Sequence, residues 1–163
     1  MKTDNTENVL MDVLGREVHG CGEQQERTLS LAELKGVMRL AKDHTVLGLV
    51  ANAVMEGRLK ITCDMSADKQ KAVMTLMQIN VMHQRSYSQF EEAIAEFAAL
   101  MKKHGLHYVV FKGVAVARHY PVPYTRTMGD VDFYVPASDF NRAVAVIEQE
   151  LQVNIEKEDI DKH

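Results

Sequence analysis

Two aspartates one residue apart, Asp130 and Asp132, stand in the run Gly129-Asp130-Val131-Asp132-Phe133-Tyr134-Val135, where apolar and acidic residues alternate. Side chains alternate across a strand, so this spacing predicts both carboxylates on one face and Val131, Phe133 and Val135 on the other. Like charges held that close repel, and a bound divalent cation removes the cost. Hard oxygen ligands on a rigid strand suit Mg²⁺ (or Mn²⁺), which keeps several waters and completes its shell with phosphate oxygens. The alternative is a solvated Asp-x-Asp on the wet face of an edge strand, the commoner case when nothing else accompanies the pair.

Something does accompany it. The run Tyr108-Val109-Val110-Phe111-Lys112-Gly113-Val114-Ala115 reads as a strand passing through a glycine into a helix. Backbone amides left free at such a helix start favour an anion, Gly113 lets a phosphate approach the backbone, and Lys112 could add a point charge there. Taken alone, Lys112-Gly113 is better read as a plain strand-to-helix turn with a solvated lysine. Between the two runs lie Tyr120-Pro121 and Arg126.

The order Phe111-Lys112-Gly113, Tyr120-Pro121, Arg126-Thr127-Met128-Gly129-Asp130-Val131-Asp132 resembles the signature of a family of uncharacterised bacterial nucleotidyltransferases in the polymerase-beta-like superfamily. About a quarter of the chain carries the resemblance closely, and the combination is far more specific than either half. It implies an enzyme that moves a nucleoside monophosphate from an NTP to an acceptor by metal-dependent transfer. Asp130 and Asp132 would be the catalytic carboxylates and metal ligands. Lys112 and Gly113 would hold the triphosphate, and Arg126 would clamp a phosphate or neutralise departing pyrophosphate. The alternative for Arg126 is a salt bridge to Asp130 or Asp132 that orders the loop. The broader superfamily usually has Gly-Ser or Gly-Gly where this chain has Lys112-Gly113. It also uses a third carboxylate on a neighbouring strand, which no residue up to His163 supplies in an obvious pattern, so the resemblance implies a core continuing past the end of this sequence. A truncated or degenerate relative that binds nucleotide or a partner protein without turnover is the competing reading. The acceptor is open among small molecules, proteins and RNA.

The elements that must position these residues fall into two stretches. Residues 1–104 read as helical. Asn8 to His19 has apolar residues at helical spacing before Gly20-Cys21-Gly22, and a polar loop follows. Ser30 and Glu33 form a capping box ahead of the Leu31, Leu34, Met38, Ala41 stripe, and Val46 to Met55 reads as a buried helix ending at Gly57. From Asp68 to His104 no glycine or proline interrupts a three-four spacing through Val73, Leu76, Tyr87, Phe90, Ile94, Phe97 and Met101, which predicts one long amphipathic helix, bent near Ser86-Tyr87-Ser88 if anywhere. Asn80 and His83 interrupt the apolar stripe and should either bond within the packing seam or face a ligand cleft. Residues 105–163 read as strand His107–Phe111, helix Val114–Arg118, strand Val131–Val135, a helix capped by Ser138 that packs through Phe140, Val144, Ile147 and Leu151, and a strand starting at Val153. The expected fold class is therefore α+β: a helical N-terminal region followed by a small mixed-sheet core.

Composition bounds the rest. Across 163 residues, 46% are hydrophobic and 26% charged, too apolar for disorder. The net charge of −4 argues against a stable nucleic-acid partner, and no apolar run suits a membrane span. Cys21 and Cys63 are not spaced for a disulfide framework or zinc site, which fits a reducing cytoplasm. His104 with His107, His119 beside Tyr120, and His19 with Cys21 read as surface or packing residues rather than ligands, and the methionines as core filler.

Overall fold

The computed structural model describes residues 5–19, 27–62, 66–153 and 155. Helix α1 spans Asn5–His19 and buries Val9, Leu10 and Val13. Helix α2, Leu31–Asp43, begins at the expected capping box: Ser30 accepts from the Glu33 amide, and the Glu33 carboxylate accepts from the Ser30 amide at 2.9 Å. Helix α3, Leu47–Met55, is apolar apart from Asn52 and almost wholly buried, as the Val46–Met55 run predicts. These helices enclose one core together with the first third of helix α4, Ala67–Lys103, through Ala72 and Leu76.

Two strands in this region depart from the all-helical expectation. Strand β1, Arg27–Ser30, occupies the end of the predicted polar loop, and β2, Leu59–Thr62, follows α3; they pair in parallel with Leu29 opposite Ile61. Leu59-Lys60-Ile61-Thr62 does alternate, but a four-residue parallel pairing depends on a partner over thirty residues away and leaves little local signal. The Gly20-Cys21-Gly22 break and Cys63 lie outside the described residues.

The single long helix is found as expected, uninterrupted through Ser86-Tyr87-Ser88, and its 37 residues make a rod of about 55 Å. Its C-terminal half seats a second, smaller core with strands β3, Val109–Phe111, and β4, Asp132–Tyr134, and helix α6, Ala137–Leu151. Phe97 of α4 holds this unit: its ring lies 4.4 Å from that of Phe133 and 5.2 Å, edge-on, from that of Tyr108. Strands β3 and β4 are antiparallel, with Phe111 opposite Asp132. Between them come the short helix α5, Gly113–Ala117, and a 3-10 turn, Pro123–Thr125. The chain is thus α+β, and among the described residues no helix is long and apolar enough to cross a membrane.

Helix α6 starts one residue before the expected Ser138 cap. Pro136 takes the cap position, and α6 packs through Ala143, Val144 and Ile147, while Phe140 and Leu151 stay largely exposed. Its first turn is fixed from outside: the buried Asp139 carboxylate accepts the backbone amide of His107 at 3.0 Å, with His107 Nδ1 2.8 Å from the same oxygen. His104 similarly meets Glu150 at 3.1 Å, so both histidines of the α4–β3 turn tie it to α6. Val153 and Ile155 lie in no strand, and most of the predicted third strand falls outside the described residues.

The His107 amide and imidazole hold the Asp139 carboxyl below the usual carboxylate range. A lowered folded-state value means the tie stabilises above the ordinary carboxyl pKa of about 4 and is lost as pH falls through the lower, folded value. Asp139→Asn should therefore lower stability at neutral pH, and the gap between variant and parent should close as the pH drops below about 4. Urea unfolding at several pH values measures this, and a gap independent of pH would contradict it.

Candidate functional site

Strand β3 leaves its sheet through an unusual turn. Lys112 has φ 54° and ψ −141°, a conformation that costs an L-residue about 1–3 kcal/mol and tends to persist at functional sites. Gly113 follows at φ 24° and opens α5, where the Lys112 carbonyl accepts the Val116 amide at 2.9 Å. The far end of α5 is tethered to α4 by Arg118, 3.1 Å from Glu91. Tyr87 sits beside this pair, and burial, reinforced by Glu91, pushes its hydroxyl pKa up.

The turn lies against the two aspartates. A Cβ added at Gly113 would stand 3.1 Å from the carbonyl oxygen of Asp130, so glycine is what allows this approach. Lys112 reaches across the β3–β4 pair to place its ammonium 3.4 Å from Asp132 Oδ1, and also 5.2 Å from the Phe111 ring centre. Asp130 is exposed, with no hydrogen-bond or ion-pair partner among the described residues. Strand β4 starts at Asp132, so the expected strand Val131–Val135 is shortened and Asp130 lies in the segment leading into it. It is also one of only two strands in its sheet among the described residues. The Lys112-Gly113 turn therefore meets the Asp130 backbone carbonyl and the Asp132 carboxylate.

The donor set fits a hard cation. Two carboxylates, one free and one held only by an exposed lysine, can contribute oxygens while phosphate and water supply the rest. No group of three or more His, Cys, Asp or Glu side chains placed to hold a metal occurs among the described residues.

Arg126 sits apart from the aspartates. It leaves the 3-10 turn half-buried and donates to the Thr127 carbonyl at 3.2 Å; among the described residues it forms no ion pair with Asp130 or Asp132. With Thr127 and Met128 it lines a cleft of about 150 Å³ whose other wall is Met82, His83 and Ser86 of α4. Met128 is two residues from Asp130, so the cleft opens within about 7 Å of the acidic segment along the backbone. His83 therefore satisfies both expectations: its Nδ1 lies 3.1 Å from the Tyr124 carbonyl, and its ring borders a cleft. Asn80, by contrast, is buried and bonded to Gln84 at 2.6 Å.

The loop carrying Arg126 is fixed by residues that sequence reasoning passed over. Tyr124 donates its hydroxyl to Asn52 Oδ1 at 2.9 Å, fully buried Asn52 donates to Glu17 at 2.9 Å, and buried Glu17 takes a two-pronged bond from Arg58 at 2.7 and 2.9 Å. Thr127 donates to the Thr45 carbonyl at 2.7 Å. Gly48 makes room: a Cβ there would lie 2.5 Å from the Thr125 carbonyl and 2.6 Å from the His83 ring. A polar asparagine inside the apolar run Leu47–Met55 was the one legible signal, because a buried amide needs partners.

Among known proteins, the model of a family described as an uncharacterised nucleotidyltransferase matches residues 30–160, while no curated protein and no solved structure matches the chain.

Gly48→Ala should push the Thr125 loop and the His83 ring away from α3. The contact with the Thr125 carbonyl involves backbone, so relief requires the loop to move. The expected loss is about 1–3 kcal/mol, the range for overpacking a close contact, read as a lower urea midpoint with an unchanged slope. An unaltered midpoint would mean that the loop does not rest on α3.

Proposed function

Because the chain belongs to the uncharacterised nucleotidyltransferase family, we propose that it transfers a nucleoside monophosphate from a metal-bound NTP to an acceptor, with residues 105–163 as the catalytic unit and residues 1–104 as the frame that orients it. The observation that carries this reading is the Lys112-Gly113 turn lying against both Asp130 and Asp132.

Asp130 and Asp132 would hold Mg²⁺ or Mn²⁺, which would supply positive charge to offset the negative charge that builds as pyrophosphate leaves. Lys112 is exposed and long enough to swing from Asp132 onto a phosphate oxygen as a mobile point charge. Gly113, without a side chain, leaves the backbone accessible to a second phosphate group. Arg126 projects from a loop clamped to α3 and α4, and its planar fork suits a two-oxygen contact with phosphate. That loop is held by the helical region through Tyr124 and Thr127, so the fold, and not Arg126 itself, orients the guanidinium.

Mg²⁺-dependent binding of an NTP should be lost in Asp130→Asn or Asp132→Asn, because each removes one of two charged oxygen donors. Titration calorimetry with and without Mg²⁺ measures the binding, and a labelled-NTP assay reads transfer in parallel. Nucleotide binding that ignores both Mg²⁺ and these substitutions would sink the proposal.

Arg126→Ala should weaken triphosphate binding by about 1.5–3 kcal/mol, the scale of a charge-assisted hydrogen bond, with a much smaller change in folding stability. Among the described residues its side chain bonds only its neighbour's carbonyl, so little stability depends on it. Equal losses in both measurements would instead assign Arg126 a structural role.

A further inference from the structure

The outer face of α4 is neither core nor ordinary surface. Met74, Met77, Val81 and Met82 are 61%, 56%, 54% and 67% exposed, and at 3.6 residues per turn they form one stripe across two turns. Four large apolar side chains in a row approach the few hundred Å² at which an exposed patch marks an interaction site. The methionines were expected to fill the core; these three do not. Their unbranched, polarisable side chains let such a stripe adapt to another apolar face.

The charge along the stripe is mainly basic, and the one acid at its end, Asp68 beside Lys71, is paired with Lys35 at 2.7 Å. Between Asp68 and Glu91 the helix carries Lys69, Lys71 and Arg85 and no acidic residue, although the whole chain has a net charge of −4. Lys71 and Arg85 are exposed at the two ends of the stripe. From this complementarity we infer that the face docks an acidic amphipathic helix of a partner protein, its apolar side on the methionines and its carboxylates on Lys71 and Arg85.

A second copy of this chain fits poorly. An antiparallel pairing centred on Gln78 sets Lys71 opposite Arg85, and a two-fold parallel pairing sets each cation opposite itself, so like charges meet in either case. RNA fits poorly too, because single strands are gripped by aromatic stacking platforms, and the stripe holds methionine and valine. Met82, at one end, also lines the Arg126 cleft, so a helix seated here would bring its own side chains beside the acidic segment. That delivery role rests on the proposed transfer reaction; the docking does not.

The test uses the full chain and a fluorescein-labelled 18-residue peptide built from leucine and glutamate at amphipathic helical spacing, followed by fluorescence anisotropy. The peptide should bind. Met77→Glu or Val81→Glu should weaken it about tenfold or more, as expected for central contacts. Arg85→Glu should weaken it while admitting a leucine–lysine peptide of the same period. Circular dichroism verifies that each variant folds, and the double variant Asp130→Asn, Asp132→Asn should bind the acidic peptide unchanged, which separates docking from catalysis. Equal binding of a scrambled peptide of the same composition would overturn the proposal. So would a self-associated dimer in sedimentation that Met77→Glu abolishes, or poly(U) displacing the peptide from the same face.

Discussion

The loop that presents Arg126 depends on one buried polar chain: Arg58 to Glu17, Glu17 to Asn52, Asn52 to Tyr124. Glu17 is a nearly buried carboxylate, and a buried charge is costly unless paired and hydrogen-bonded; here Arg58 grips it with two nitrogens and Asn52 adds a third donor. Asn52 uses both ends of its amide, so neither half can be removed without leaving a buried polar atom unmatched. The chain runs from α1 through α3 to the 3-10 turn, crossing from residue 17 to residue 124. Because it must be satisfied as a unit, it fixes the loop that presents Arg126 relative to the helices. Apolar packing alone would allow that loop to slide.

The other side of the site is held by different means. Strands β3 and β4 are three residues each, too short to be stable alone, and they gain their place from the Phe97, Tyr108 and Phe133 rings and from the Asp139–His107 tie. On that small sheet the strained Lys112 conformation survives because β3 pairing fixes one side of it and α5, anchored through Arg118 and Glu91, fixes the other. A relaxed turn would carry the α5 start away from Asp130. The strain at Lys112 is thus part of what keeps the turn against the Asp130 backbone and the Asp132 carboxylate.

What could be read from the sequence follows the range of the interactions involved. The capping box at Ser30, the buried α3 run, the long α4 and the Lys-Gly and Asp-x-Asp motifs are all written within a few consecutive residues, where local physics decides. Nucleotidyl transfer as a class was legible for the same reason, since the motifs that carry the family are compact in sequence. The parallel β1–β2 pair, the Glu17–Asn52–Tyr124 chain and the Gly48 contact were not, because each joins residues from about thirty to over seventy positions apart. Alternation placed both aspartates on one strand, but β4 begins only at Asp132, and the Asp130 backbone carbonyl is instead met by Gly113. Ser138 illustrates a local rule overridden: Pro136 starts the helix earlier, and the nearby acid, Asp139, is engaged by His107.

Helix α4 ties these parts into one design. A rod of about 55 Å touches the first core at Leu76, walls the Arg126 cleft at His83, tethers α5 at Glu91 and seats the second core at Phe97 and Met101. These positions lie on one side of the helix, since a single helix can satisfy successive neighbours only along a stripe. The opposite side is then free of structural duty over the same turns, and ordinary selection for solubility would make it polar. Among the described residues Met74, Met77 and Val81 stay exposed there and Met82 reaches only the rim of the Arg126 cleft, and this apolar face is the one proposed to dock an acidic helix.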